Sequence, residues 1–520
     1  MQMRVEKLQV ARNFDVEVGA VPRRDEIDLA ALTALMSNID YTASDEKRLF
    51  APHLINQLRS LGIFSLSAPA QYGGRALDLA SIARIVRHLA YYDLSTAVLV
   101  ALHNMLAAPA LYHHRPSCLT DEAIRRVASG DDLVAYGLTE MLAGSDPRRI
   151  SASARFDVDG KTVKLNGQKC WTGLGAWSRY TVFFAQAYDP TGVSRGMTAF
   201  LINTDADRPQ YLGEHLTLGL RAIIQNSFRV TDLRVDADRT MGSIGGGLVI
   251  AKDRMANSRI AVAAMASGAL ARCLEIVTRF AEGRSIGTGK LRDSLTWTSI
   301  MAMAKLCFLS CDSVVAEALT GGEKFPEDAD LYFTIAKVLN SAIGFHGINL
   351  CLQGFGGRGF DETFEVARFF RDSRVLSIFE GSNGSLAYFI GRSVLSKFRD
   401  GTIDKFVSAF GTSDSLLKGI DRSKLCSVSG IDKQRLVANL ASNTMHLFLQ
   451  SALLRRTPEI ADFPAAINSL NTVVNQQIFD DASDRDVRAG VLAADAFIRE
   501  GMQFFGNTDH RTMPLNFCWS

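Results

Sequence analysis

From Leu248 to Phe398 the apolar residues recur at helical spacing with few interruptions. Leu248 to Phe280, Thr296 to Thr320, Asp328 to Cys351 and Ser385 to Phe398 are long and rich in Ala and Leu. Helices of this kind bury their apolar faces most readily on one another, so the spacing predicts a bundle. Upstream the period falls to two. Ser151 to Val158, Lys161 to Asn166, Arg179 to Ala187, Met197 to Asn203 and Ser227 to Val235 are short and rich in Val, Thr, Phe and Tyr. Asp159-Gly160, Asn166-Gly167 and Asp189 to Gly192 separate them as turns, which predicts a small antiparallel barrel or sandwich.

Before that, helical spacing returns: one helix over Ser44 to Leu61, others over Leu77 to Tyr92 and Ser95 to Leu106, and one capped by Asp121 that stops at Gly130. The expected fold class is α+β, mainly α. It comprises an N-terminal helical domain (1–132), a middle β-barrel domain (133–243), a C-terminal four-helix bundle (244–398) and a helical C-terminal extension (399–520). Candidate helices in the extension are Gln434 to Leu454, Pro464 to Phe479 and Asp484 to Phe505. No βαβ alternation occurs, and Gly245-Gly246-Gly247 is not GxGxxG, so no Rossmann fold is expected.

Composition narrows the partners. A net charge of +2 without a basic stripe gives no electrostatic case for nucleic acid or an anionic membrane. The apolar stretch Ile260 to Leu274 is broken by Ser267, Gly268 and Arg272, so a membrane span is not expected. The N-terminus has no apolar secretory core. The eight cysteines form no CxxC pair, and Cys307 and Cys311, one helical turn apart, have no His or second Cys pair close in sequence. Neither zinc nor a disulfide framework is expected, and the chain reads as reduced and cytoplasmic. His113-His114 reads as a loop pair without a metal.

One carboxylate stands out. In Val375-Leu-Ser-Ile-Phe-Glu380-Gly-Ser-Asn-Gly384 it sits in an apolar run, followed at once by glycine. Burial of an unpaired carboxylate raises its pKa, and such a group takes up protons near neutrality. The stretch alone also fits, and given the usual exposure of Glu favours, a solvated residue at the end of a strand or helix. Four other stretches carry chemistry-bearing residues: Tyr136 to Asp146, Asn166 to Gly173, Gln353 to Phe360, and Arg371-Asp372. Taken singly, each has a plain structural reading: a loop entering the β domain, a core Trp, a helix stop, and a surface ion pair.

Together and in this order they resemble the acyl-CoA dehydrogenase family of flavoproteins, over about residues 45 to 395. The signatures are PAQYGG (69–74), LTEMLAGSD (138–146), NGQKCWTG (166–173), QGFGGRGF (353–360) and FFRDSRVLSIFEGS (369–382). The resemblance implies FAD-dependent α,β-dehydrogenation of an acyl thioester, carried by CoA or by an acyl-carrier protein. Glu380 would abstract the α-proton while the β-hydrogen leaves as hydride to flavin N5. The Glu380 N–H and a flavin ribityl hydroxyl would hold the thioester oxygen. Ile378 and Phe379 would form an apolar pocket around the base.

By the same resemblance, Tyr136, Leu138, Thr139, Gly144 and Ser145 line the FAD, with Trp171, Thr172 and Gly173 against its ring. Arg284 would reach its diphosphate, and Ser382 stands where the motif usually has Thr. Gln353, Gly356 and Gly357 would reach the FAD of a neighbouring subunit, which implies a homodimer or homotetramer. Ser145, Arg259 and Gly381 face the substrate. Ser258 sits where some relatives place their base and cannot serve as one. An electron acceptor such as an electron-transfer flavoprotein is expected.

The sequence also departs from the pattern. Trp171-Thr172-Gly173-Leu174 stands for W-I-T-N, Arg284-Ser-Ile-Gly287 is one residue short of R-x-x-F-G, and Gly384 replaces a glutamine. Two alternatives therefore remain open: a flavin-dependent oxidase or monooxygenase on the same fold, and a non-catalytic member acting as an assembly factor. Gln434 to Arg456 is amphipathic and is expected to pack on its own bundle rather than on a membrane.

Overall fold

The computed structural model describes residues 27–287, 289–411, 413–421, 425, 429–456 and 464–479. The candidate helix 484–505, Cys426 and Cys518 lie outside the described residues.

The N-terminal helices are α1 (Leu29–Ser37), α2 (Tyr41–Lys47), α3 (Leu54–Ser60), α4 (Leu79–Tyr92), α5 (Leu94–Ala101), α6 (Ala108–His113) and α7 (Asp121–Ser129). The single helix expected over 44–61 is two. Arg48 and His53 take left-handed φ values of 54° and 66°. Pro52 between them has no N–H to donate and disfavours helix in the residue before it. A π-helical turn, Leu102–Ala107, joins α5 to α6. His113 therefore ends a helix rather than sitting in a loop. Thr120, not Asp121, caps α7 through its hydroxyl, and Gly130 closes the helix at φ 79°.

The main sheet has eight strands: β1 (Val134–Gly137), β2 (Ser153–Phe156), β3 (Thr162–Gly173), β4 (Tyr180–Tyr188), β5 (Ser194–Asn203), β6 (Gln210–Glu214), β7 (Gln225–Asp236) and β8 (Thr240–Met241). They run in the order β6-β7-β3-β2-β4-β5-β8, with β1 also beside β4. The antiparallel expectation fails at β4, which pairs in parallel with both β1 and β2. Period-two alternation puts Phe183 and Ala185 into a core built from the strands themselves, with Phe200, Phe228 and Val235. Val182 and Phe184 face Leu111, Ile124 and Ile250. The sheet thus curls over its own core as a barrel does, while β6 and β8 leave its hydrogen-bond ladder open.

After a single turn α8 (Thr204–Asp207) come α9 (Gly247–Gly283), α10 (Leu295–Lys324), α11 (Ala329–Phe355), α12 (Glu365–Ser373) and α13 (Asn383–Arg399). By length and apolarity alone α9 is long enough to cross a membrane, as are α10 and the helical segments over 94–113 and 326–360. In the fold 83% of the α9 window is buried. The 430–456 helix packs on the bundle through Val437, Leu440, Phe448 and Leu453, all fully buried. At its crossing with α13, any side chain at Gly391 would meet the Val437 carbonyl.

Arg371-Asp372 is not a surface ion pair. Arg371 binds Asp45 of α2 at 2.6 Å, and Asp372 accepts the Leu220 N–H at 2.6 Å. Asp372 is only 1% exposed. The pair ties the helical domains to the connection between β6 and β7.

Candidate active site

Glu380 follows α12 and a short 3-10 turn (Arg374–Ser377), at the head of α13. Its φ is 56°, and Gly381 after it has φ 97°. A non-glycine residue held in the left-handed region is strained and persists only when its surroundings fix it. Lys337 of α11 is fully buried and donates to the Gly381 carbonyl at 2.7 Å and to Asn383 Oδ1 at 2.9 Å. Ser341, one turn on, donates to the same Asn383 oxygen at 3.0 Å. Arg259 binds Asp330 at 2.5 Å and Thr334 at 2.9 Å, and its Nε reaches the Glu380 carbonyl at 3.4 Å. Its guanidinium, expected to face substrate, is thus taken up by protein partners and braces the loop.

The half-buried Glu380 carboxylate turns into a cavity between α5 and α9 and accepts a hydrogen bond from Ser258 Oγ at 2.5 Å. Burial pushes Glu380 above the usual carboxylate range; the Ser258 hydroxyl and then Arg259 and Lys337 pull it back in part. Burial lowers Lys337 to about 7. Phe379 lines the cavity, but Ile378 does not: it is 53% exposed.

A second group of the expected residues belongs to the β domain. Tyr136 of β1 has a buried hydroxyl with no hydrogen-bond partner among the described residues, as does Thr172 of β3. Burial, and next the Glu380 carboxylate, raise the Tyr136 phenol well above its usual range. Trp171 is held outward at φ 48°, 49% exposed, with its ring 5.6 Å from His215. Gly173 abuts Leu102 so closely that a Cβ there would lie 2.6 Å from it.

The loop after β1 carries Leu138, Thr139, Gly144 and Ser145. Glu140 anchors it by accepting from Ser151 N–H, Ser151 Oγ and Ala152 N–H at 2.6 to 3.0 Å. The fully buried Lys169 binds Glu140 at 2.7 Å and the Leu138 carbonyl at 3.2 Å. Ser145 is exposed, and Gly144 opens onto free space. Two unpartnered hydroxyls, an outward indole and an open glycine turn fit a flat cofactor with polar edges.

Ser382 precedes α13 at its N-cap position, but its hydroxyl donates to Ser385 Oγ at 3.0 Å rather than capping a backbone N–H. The remaining expected residues are far away. Arg284 closes α9, about 39 Å along the helix from Ser258 at 1.5 Å per residue. Gln353, Gly356 and Gly357 are exposed at the same end, where Phe355 meets Phe280 at 4.6 Å.

Family models for the acyl-CoA dehydrogenase N-terminal, middle and C-terminal domains match residues 31–131, 135–233 and 245–395. The chain belongs to the acyl-CoA dehydrogenase family. It is 25% identical over 473 residues to the very long-chain specific acyl-CoA dehydrogenase of Bos taurus, covering 90% of this chain and 69% of that one. Against the rat protein of the same name, the match spans about half of the relative's length, 52%. Butyryl-CoA dehydrogenase from Megasphaera elsdenii superposes with a TM-score of 0.65 at 26% identity, over 70% of this chain and 95% of that one.

Of the signature residues, Phe379 and Glu380 line the cavity and Gly173 abuts Leu102 of its wall. Sequence reasoning missed Lys337, Lys169 and the anchoring role of Glu140. A signal existed for the first: a single cation in the apolar run Ile335-Ala336-Lys337-Val338-Leu339.

Proposed function

We propose that the protein dehydrogenates an acyl thioester at the α,β-position with FAD as cofactor and Glu380 as the base. The observation that carries this is the Glu380 carboxylate, facing an apolar cavity with its pKa raised by burial and its backbone locked at φ 56°. Such a carboxylate is a stronger base than a solvated one and works where water is excluded.

Each part of the chain has a role in this reading. Glu380 takes the α-proton on its carboxylate. Its backbone N–H, which donates to no group among the described residues, would hold the thioester oxygen as negative charge develops there. Tyr136, Leu138, Thr139, Gly144, Ser145 and Trp171 to Gly173 would hold FAD beside the cavity, with Ser382 at the loop's exit. When bound, FAD supplies the acceptor for the β-hydrogen. Lys337 and Arg259 fix the loop so that the carboxylate keeps its aim.

Arg284, Gln353, Gly356 and Gly357 lie too far from Glu380 to serve the same site. They would serve the flavin of a second copy, which makes at least a homodimer part of this reading. The intact base favours dehydrogenation over the oxidase alternative.

The test is anaerobic bleaching of the bound flavin by acyl-CoA. Glu380→Gln should retain stoichiometric FAD and lose bleaching by about a thousandfold or more. A Glu380→Gln protein still reduced at the parent rate would overturn the assignment.

A further inference from the structure

We infer that the C-terminal extension is part of the machinery that aims Glu380: Phe406, Phe410 and Phe448 grip Tyr332, a positioning residue, and through α11 that grip sets the clamp on the catalytic loop. That Glu380 is the base rests on the reading above; the grip itself is a matter of packing.

Four side chains of α11 serve the loop. Asp330 and Thr334 hold Arg259, whose Nε reaches the Glu380 carbonyl. Lys337 holds Gly381 and Asn383, and Ser341 holds Asn383. Their spacing of four, three and four residues puts all of them on one stripe of the helix. At about 100° per residue, Tyr332 lies about 200° round from Asp330, on the opposite face.

The extension closes on that opposite face. Tyr332 is fully buried, and its ring centroid lies 5.5 Å from Phe406, 6.0 Å from Phe448 and 6.3 Å from Phe410. Phe406 belongs to a short helix, Ile403–Val407, and Phe448 to the 430–456 helix. Phe410 meets Phe406 at 5.1 Å and Phe448 at 5.4 Å, so the three rings form one seat. Aromatic pairs in tilted and edge-on arrangements attract beyond the area they bury. The Tyr332 hydroxyl donates to the Phe406 carbonyl at 3.2 Å. The same ring abuts Gly321 of α10, where a Cβ would lie 2.4 Å from it. Packing this close leaves no slack, so α11 is held at one distance between the extension and the Glu380 loop.

The extension also grips the helix on the other side of the loop. The 430–456 helix crosses α13 at Gly391 through the Val437 carbonyl, and α13 begins at Asn383, the residue Lys337 and Ser341 hold. Phe406, Phe410, Val437 and Phe448 all lie beyond residue 395, where the match to the family's C-terminal domain ends. This chain therefore adds the grip to that domain.

Amide hydrogen exchange over residues 377–386 of the full-length protein, read by mass spectrometry, tests the grip without substrate. Phe448→Leu keeps an apolar side chain and removes one ring of the seat. Exchange over the loop should rise about tenfold. Tyr332→Phe keeps the ring and removes the hydrogen bond; exchange should rise about threefold, and this variant keeps the test open if Phe448→Leu does not fold. Ile124→Ala, in a separate core, should lower the melting temperature and leave exchange over 377–386 unchanged. Anaerobic bleaching of the holoenzyme by acyl-CoAs from butyryl to palmitoyl gives the functional readout. In Phe448→Leu kcat should fall about tenfold with KM and bound FAD unchanged. The rise of kcat/KM with pH should move to higher pH, because Arg259 and Lys337 would draw back from a carboxylate whose ionised form they favour. Unchanged exchange in folded Phe448→Leu and Tyr332→Phe proteins would overturn the inference, and so would faster exchange with the kcat and pH profile of the parent. Failure of every acyl-CoA to bleach the parent's flavin, with exchange raised as expected in the variants, would overturn the acyl-thioester reading and leave the grip on the loop standing.

Discussion

Ser258 Oγ stands 2.5 Å from Glu380 Oε2 and 3.0 Å from the Met255 carbonyl, with one hydroxyl proton to give. When Glu380 is ionised, that proton belongs on the carboxylate, because hydrogen bonds to charged acceptors are the stronger ones. When Glu380 is protonated, it donates to Ser258, and Ser258 turns its own proton to Met255. The hydroxyl thus serves both protonation states and favours the ionised one.

Ser258→Ala should raise the Glu380 pKa further, since burial would act with less opposition. A base is active above its pKa, so the rise of kcat/KM with pH should move to higher pH. Near pH 7 the variant should lose about tenfold, with recovery at higher pH. Ser258→Thr keeps the hydroxyl and should restore the parent profile. A Ser258→Ala profile superimposable on the parent would show that the bond has no part in tuning the base.

Lys337→Met tests the clamp on the catalytic loop. It removes two hydrogen bonds to Gly381 and Asn383, and kcat should fall about tenfold or more with little change in KM. Stability gives an independent readout. Lys337 has a folded pKa of about 7 against about 10.4 unfolded. Between those values the unfolded chain binds more protons, so this group makes stability rise as pH increases from 7 toward 10. Melting temperatures across that window should show a shallower rise in Lys337→Met than in the parent.

Lys169→Met should act on cofactor retention. It leaves the Glu140 carboxylate buried without its cation, which costs about 3–5 kcal/mol. The loop carrying Thr139 to Ser145 should loosen, and the ratio of bound FAD to protein should drop after gel filtration. The double variant Lys169→Met with Glu140→Gln should recover part of both stability and flavin. Full FAD in the single variant would separate the ion pair from the cofactor site.

Asp372→Asn addresses the junction of the domains. Burial raises the Asp372 carboxyl to about 7, so between about 3.9 and 7 the folded state binds more protons than the unfolded one. This group therefore costs stability progressively as pH rises through that window. Asparagine keeps an acceptor for the Leu220 N–H without a charge. The melting temperature of Asp372→Asn should fall less between pH 5 and 8 than that of the parent.

Much of this molecule is legible in its sequence. The helical and strand periods placed the three layers in order, and four bundle helices fall within a few residues of their expected bounds. Errors came where a local exception overrode the period. Pro52 split one helix, and β4 took parallel partners because β1 and β2 return along the same edge. Glu380 stood out because a carboxylate in an apolar run is costly, but the role expected of it came from the ordered motifs of the family resemblance. Ile378, expected in the pocket from the resemblance, is instead 53% exposed after the 3-10 turn Arg374–Ser377.

The sequence by itself determined the order of elements, because that rests on residue types and on spacing along each segment; the role given to Glu380 came from the family resemblance. Tertiary structure alone decided how the Glu380 carboxylate is tuned and what it faces. Ser258 and Glu380 are 122 positions apart, and Lys337 reaches Gly381 from another helix. The contact of α9 with α4 at Gly268, where a Cβ would lie 2.2 Å from the Arg87 carbonyl, likewise joins residues far apart in sequence. Such distances come from how whole helix faces settle against one another, a balance of many small packing contacts that no single segment encodes.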